Sequence, residues 1–177
     1  MSQKTKWAID PTHTEIGFKV KHMMFTNVSG KIAKYDAAIE TGSDEFGGAS
    51  IDFTGDADSI TTGNADRDAH LLSPDFFDAV QFPKLNFKAT EFLKLDAGDF
   101  ELTGDLTIHG VTKSVKFPVE FGGLMKDPWG NIKAGFNITG KINRKEWGLT
   151  WNAALDAGGV LVSDEVRINA EIQLIKQ

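Results

Sequence analysis

A period of two runs through most of this chain and constrains its fold more than any other feature. Val166, Ile168, Ala170, Ile172 and Leu174 alternate with Arg167, Asn169, Glu171 and Gln173. Such a segment is a strand with one wet face and one dry face. Val115, Phe117, Val119 and Phe121 repeat the pattern, as do Leu102, Leu106 and Ile108. So do Phe136, Ile138 and Ile142; Leu85, Phe87 and Ala89; Ile16, Phe18 and Val20; and Ile51, Phe53, Gly55 and Ala57. A weaker strand lies around Ile32 to Ile39. Turn formers separate the runs at Ala97-Gly98-Asp99, at His109-Gly110 and at Asp127-Pro128-Trp129-Gly130-Asn131. Many strands joined by short turns imply an antiparallel meander. A sheet that is dry on one face throughout must close on itself or pack on a second sheet. The number of runs, about eight, favours an all-β closed up-and-down barrel over a sandwich.

One segment breaks the period. Asn64 to Leu72 has no alternation, is rich in helix formers and begins on a capping asparagine. Ser73 to Asp78 reads as a second short turn of helix. With Leu71, Leu72, Phe76 and Phe77 on one side, this segment is expected to act as a short helical lid over one barrel end. The 177 residues suit a single domain spanning 1–177. Hydrophobic residues at 41% and charged residues at 25% are ordinary globular proportions. Cysteine is absent, which excludes a disulfide framework, a zinc ribbon and thiol catalysis. The net charge of −6 argues against an electrostatic footprint for nucleic acid or for anionic lipid surfaces. The N-terminus is basic, but Trp7-Ala8-Ile9 stops at Asp10-Pro11, so a secretory h-region is missing and a cytoplasmic location is expected. No stretch approaches the roughly 20 apolar residues of a membrane-spanning helix.

An eight-stranded barrel is either filled by side chains or holds one small ligand. Gly55, Ala57, Ala89, Gly104, Gly140 and Ala170 stand on the apolar parity of their strands, where small residues leave room. Glycine also serves bends, and facing aromatics fill gaps beside alanine, so this pattern alone leaves both a hollow and a filled barrel open. There are 13 phenylalanines against one tyrosine. Phenylalanine adds apolar area without a hydroxyl that needs a partner. A lumen lined in this way suits an alkyl or isoprenoid chain better than a sugar.

The chemistry-bearing motifs are few. Gly135 to Lys141 nearly spells a phosphate-binding loop, but Ile142 stands where Ser or Thr is required and the segment alternates like a strand. His13-Thr14-Glu15 has the H-x-E of zinc deaminases without their cysteines. His70 follows Asp66 by one helical turn, the spacing of a surface pair rather than of a metal site. His109, before Gly110 in a turn, suits a structural hydrogen bond. No metal site, cofactor motif or catalytic constellation emerges.

A series of short motifs is more specific. Trp7-Ala8-Ile9-Asp10-Pro11-Thr12-His13-Thr14 comes first, then Phe18 to His22 and Gly30. Arg67-Asp68, His70-Leu71 and Ser73-Pro74-Asp75-Phe76-Phe77 follow, then Phe82-Pro83 and Gly104 to Thr112. Asn143-Arg144, Trp147-Gly148 and Ser163 to Val166 complete the series. In this order the chain resembles the YceI family over nearly its whole length, with Thr14 in place of the usual serine. The resemblance implies a lipocalin-like antiparallel barrel holding a polyisoprenoid or similar long amphiphile. Dimers are common in the family, so a homodimer is a further expectation. Many members are exported to the periplasm, and this chain looks like the cytoplasmic branch. No reaction is established for the family, and none is assigned to this chain.

The expectation is therefore a bacterial lipid-binding or carrier module whose partner is a long-chain isoprenoid or other lipid. Phe18, Val20, Phe53, Leu85, Phe87, Leu106, Ile108, Phe117, Val119, Phe136, Ile138 and Ile168 are the expected inward residues. Leu71, Leu72, Phe76 and Phe77 are expected to gate entry, and Arg67 to meet a polar head. Two other readings stand beside this one. One is an enzyme acting on an isoprenoid or lipid with His70 or His109 as acid–base group. The other is a stress-related structural or interaction protein with a filled barrel.

Overall fold

The computed structural model describes residues 4–42, 45–155 and 160–177. The alternating segments form β1 (Thr5–Ile9), β2 (Glu15–His22), β3 (Thr26–Ile32), β4 (Tyr35–Thr41), β5 (Ser50–Asp56) and β6 (Ile60–Thr61). After α1 (Ala65–Leu72) come β7 (Lys84–Lys94), β8 (Phe100–Ile108), β9 (Val111–Lys126), β10 (Ile132–Asn143) and β11 (Val162–Lys176). The order β1–β4–β5–β7–β8–β9–β10–β11 closes through antiparallel pairing of β1 with β11, giving an eight-stranded ring. β11 is long enough to serve two neighbours. Its start, up to Glu171, pairs with β2, and Leu174 onward pairs with β1. β2, β3 and β6 thus continue the wall beyond the ring at one end.

This extension of β2, β3 and β6 exists because three long strands are each broken once. The turn Pro11–His13 separates β1 from β2, Ala33-Lys34 separates β3 from β4, and the turn Ala57–Ser59 separates β5 from β6. The weak strand expected around Ile32 to Ile39 is therefore two strands with a bend between them. At Ala57, whose N–H donates to the Pro83 carbonyl at 2.9 Å, the chain leaves β7. β6 stays with β3 through Lys31↔Thr61. The segment joining β6 to β7 holds α1 and caps this end, the mouth. Asn64 caps α1 as expected, its side chain accepting from the Arg67 N–H at 3.0 Å. Ser73 to Asp78 is not a second helix. The N–H groups of Phe76 and Asp78 both donate to the Ser73 carbonyl at 3.0 Å, which makes overlapping turns that fold back on α1.

Two apolar clusters hold the barrel. At the closed end Trp7, Phe46, Phe92, Phe100 and Phe136 are buried together. Phe46, on the β4–β5 connection, lies 4.8 Å from Trp7 and 4.9 Å from Phe136 between ring centres. The Trp7 indole N–H finds the Thr41 hydroxyl at 3.0 Å, as a buried donor must. Beneath the mouth Ala57, Ile60, Leu85, Ile108, Trp147 and Leu149 form the second cluster.

The small inward residues act differently from the sequence expectation. An added Cβ at Gly104 would lie 2.4 Å from the Phe87 ring, at Gly140 2.2 Å from the Phe117 ring, and at Gly30 2.3 Å from the Phe18 ring. These glycines are seats for neighbouring phenylalanines, not empty space. Gly55 faces Ile32, and Ala57 and Ala89 pack within the two clusters. Of the six small residues only Ala170 faces the cavity. The room inside comes from the girth of an eight-strand ring whose large side chains do not meet across it.

Candidate ligand-binding lumen

A cavity of about 570 Å³ runs through the barrel, within the roughly 300–1,000 Å³ of small-molecule sites. Along β11 its wall extends from Val162 to Leu174, about 40 Å of strand at ~3.3 Å per residue. Tilt reduces that to about 30 Å of height. The alternation of each strand sends every second side chain inward, so the wall is apolar from the closed end upward. Phe46, Ala49 and Phe92 floor it, Ile39, Phe136 and Leu174 stand above them, and Phe18, Ile138 and Ile168 belong to its upper wall.

Polar side chains reach the cavity at the mouth. The polar residues that line it are Lys21, His22, Thr62, Asp66, Arg67, His70, Asn86 and Arg144. Arg67 donates from Nε to the Thr62 hydroxyl at 2.7 Å and from Nη2 to the Thr62 carbonyl at 2.9 Å. Asp68 ties the same turn of α1 to the end of β6. It accepts from Thr61 Oγ1 at 3.1 Å and from the Thr62 N–H and hydroxyl at 2.8 and 2.5 Å. Burial alone would raise the Asp68 carboxyl, but these Thr62 and Thr61 bonds, with Arg67, outweigh it and hold the group below the usual range. His70 closes the far end of α1. Its Nε2 lies 2.9 Å from Asp75 Oδ2, and its ring meets Phe76 and Trp151 edge-on at 5.1 and 4.7 Å.

Arg144 is 3% exposed. Its guanidinium donates to the carbonyls of Ser163 at 2.9 Å, Leu149 at 2.6 Å and Val162 at 3.4 Å, with Asp164 at 4.0 Å. Burial pushes its proton affinity down and Asp164 restores part of it. It pins β10, β11 and the 148–155 connection at the rim, and the Phe76 ring sits 6.0 Å from its carbon centre.

All the expected ligand-facing residues except Leu72 stand on the cavity wall. Leu72 turns away from the cavity, because the chain reverses there and the Ala79 N–H returns to its carbonyl at 3.0 Å. His109 is not on the wall. It sits in the β8–β9 turn with Nδ1 3.3 Å from the Trp147 carbonyl and its ring against Phe82. Among the described residues no cluster of three or more His, Asp or Glu is placed to hold a metal ion. Sequence reasoning missed Phe46, Phe92, Trp151 and Arg144. Phe46 and Trp151 lie in irregular connections, where periodicity carries no signal. Phe92 lies beyond a bulge, since the β7–β8 register shifts between Ala89 and Glu91 and reverses the parity that follows.

An antiparallel eight-strand ring around an apolar lumen, with a helix at one end, defines a lipocalin-like barrel. The chain belongs to the YceI-like domain family, whose model matches residues 7–174. A UPF0312 protein of Staphylococcus aureus (strain USA300) is 35% identical over 170 residues, covering 96% of each chain. The crystal structure of the Campylobacter jejuni YceI protein is similar at 34% identity and a TM-score of 0.76, over 95% of this chain and 96% of that one. Burkholderia cenocepacia BcnA shares the fold at a TM-score of 0.80 and 21% identity, over 93% and 98% of the two chains. A polyisoprenoid-binding domain from Saccharophagus degradans shares it at 0.72 and 12%, over 97% and 98%. Among the described residues no helix is long and apolar enough to cross a membrane.

Proposed function

We propose that this chain binds and carries one long-chain amphiphile, a polyisoprenoid or similar lipid, with its tail in the lumen and its head at the mouth. The observation that carries this reading is the polarity of the cavity: apolar over its length, with charged and polar side chains gathered at one end. Each buried methylene contributes about 0.8 kcal/mol, so a chain of several isoprene units offsets the cost of association. The S. degradans domain that shares this fold is a polyisoprenoid-binding domain, which supports the reading. Arg67, which lines the mouth, is the group this reading assigns to meet the head. The reading is of a binding protein and assigns no catalysis. His70 is committed to Asp75 and two aromatic rings, and His109 faces a backbone carbonyl.

Ala170 tests it. The residue is 4% exposed and faces the cavity, so Ala170→Phe places a ring where the tail would lie. Titration with a fluorescent long-chain fatty probe should show affinity lowered about tenfold or more, since several methylenes lose their place. The thermal melt should change little. An unchanged affinity would contradict the reading. So would a filled barrel, in which the same change overpacks the core and costs about 1–3 kcal/mol with no binding to lose.

A further inference from the structure

The turn between β2 and β3 presents three apolar residues in succession. Met23 is 41% exposed, Met24 62% and Phe25 85%. Met23 and Met24 have φ of 51° and 62°, the left-handed region, and the Phe25 N–H returns to the His22 carbonyl at 3.1 Å. A β-turn with positive φ at both central positions is normally Asn-Gly. Methionine at both positions strains the backbone, and folding gains nothing from side chains that face water. Val160, also exposed, belongs to the adjacent segment before β11, where the Leu161 carbonyl accepts the Met23 N–H at 2.8 Å.

This tip adjoins the cavity. His22, Val28, Leu161 and Val162 line the lumen, so apolar surface runs from the outermost tip down into the barrel. Its charge also differs from that of the whole chain. The stretch 16–32 contains Lys19, Lys21, Lys31 and His22 and no carboxylate, in a protein of net charge −6. The nearest acidic residues of β11 are engaged. Asp164 lies 3.4 Å from Lys145, and Glu165 lies 3.8 Å from Lys141 and 3.7 Å from Arg167.

The geometry points to a membrane-docking tip: Met23, Met24 and Phe25 insert into an anionic bilayer while the lysines behind them meet lipid phosphates, holding the mouth against the surface. Apolar side chains at the headgroup–acyl boundary and flanking basic groups are the two elements of reversible interfacial binding. Docked in this way, a tail passes between bilayer and lumen without crossing water. The inference rests on the lipid-carrying reading above. A second exposed apolar group, Leu124, Met125 and Trp129, lies on the β9–β10 hairpin at the closed end, away from the mouth, and supplies the control.

The test is co-sedimentation of the full chain with vesicles of equal parts phosphatidylglycerol and phosphatidylethanolamine, and with pure phosphatidylcholine. Farnesol binding without vesicles is measured in parallel. Wild type should bind the anionic vesicles and bind phosphatidylcholine weakly. Met24→Asn with Phe25→Ser should lower the partition coefficient about tenfold or more. Met23→Asn with Met24→Gly relieves the turn, so it should raise the melting temperature while also weakening vesicle binding. Trp129→Ala should change nothing. Farnesol binding should be kept in every variant, and its absence in wild type would sink the carrier reading without touching the docking result. Docking is overturned if wild type ignores anionic vesicles, if the tip variants bind as wild type, or if Trp129→Ala loses binding equally. It is also overturned if the tip variants abolish only self-association of the protein.

Discussion

Asp10 shows how one residue holds the point where β1 and β2 separate. Its carboxylate receives Thr12 through the N–H at 3.1 Å and the hydroxyl at 2.8 Å, and meets His13 Nδ1 and Lys133 Nζ, each at 2.9 Å. Lys133 continues to Gln173 Oε1 at 3.2 Å, which links the break to β10 and β11. The His13 bond first, then Lys133 and Thr12, hold the Asp10 carboxyl well below its ordinary 3.8, against the opposing effect of burial. A carboxyl depressed by folding stabilises the fold above its unfolded value, and that contribution fades as pH falls from there toward the folded value. Asp10→Asn should therefore cost about 1–3 kcal/mol at neutral pH, because buried donors lose a charged acceptor. Urea denaturation of both proteins should show the gap closing below about pH 4. A gap of constant size across that range would mean that the charge of Asp10 contributes nothing.

At the scale of elements, α1 and the turns behind it form a lid anchored at two ends. Asp68 and Arg67 bind its start to Thr61 and Thr62, and His70, Phe76 and Trp151 pack at its other end. Few long-range backbone bonds hold such a segment, so it opens more readily than the sheet. Phe76→Ala with Phe77→Ala removes rings that face the cavity from this lid. Stopped-flow displacement of a bound lipid probe should then show faster release with a smaller change in uptake, since lost contacts fall mainly on the off-rate. Equal release rates would place the entry elsewhere. The lid was legible in the sequence because it breaks the two-residue period, and so was its asparagine cap. The inward face was legible wherever a strand keeps its register. The bulges were not, since the extra residue near Thr90 leaves no compositional mark yet turns Phe92 inward and Leu93 outward. Nor was the use of Gly104 and Gly140 as seats for phenylalanine rings, because a strand glycine looks the same whether it faces a void or a neighbour's ring.

For the molecule as a whole, closure of β1 on β11 removes the sheet edges of the ring and leaves a lumen with a floor of aromatic rings and a polar mouth. The broken strands matter here. Had β5 and β6 run on as one strand beside β7, the wall would continue where α1 now stands. The overall negative charge conceals a stretch beside that mouth, residues 16–32, that carries three lysines and no carboxylate. That the lumen holds a lipid tail is tested most directly by native mass spectrometry of freshly purified protein, followed by organic extraction of what it carries. The account predicts a complex of one chain with one long apolar molecule, released on unfolding and reformed when the stripped protein is mixed with a polyprenol. Protein that flies only at its bare mass, and stays there after mixing, would contradict it.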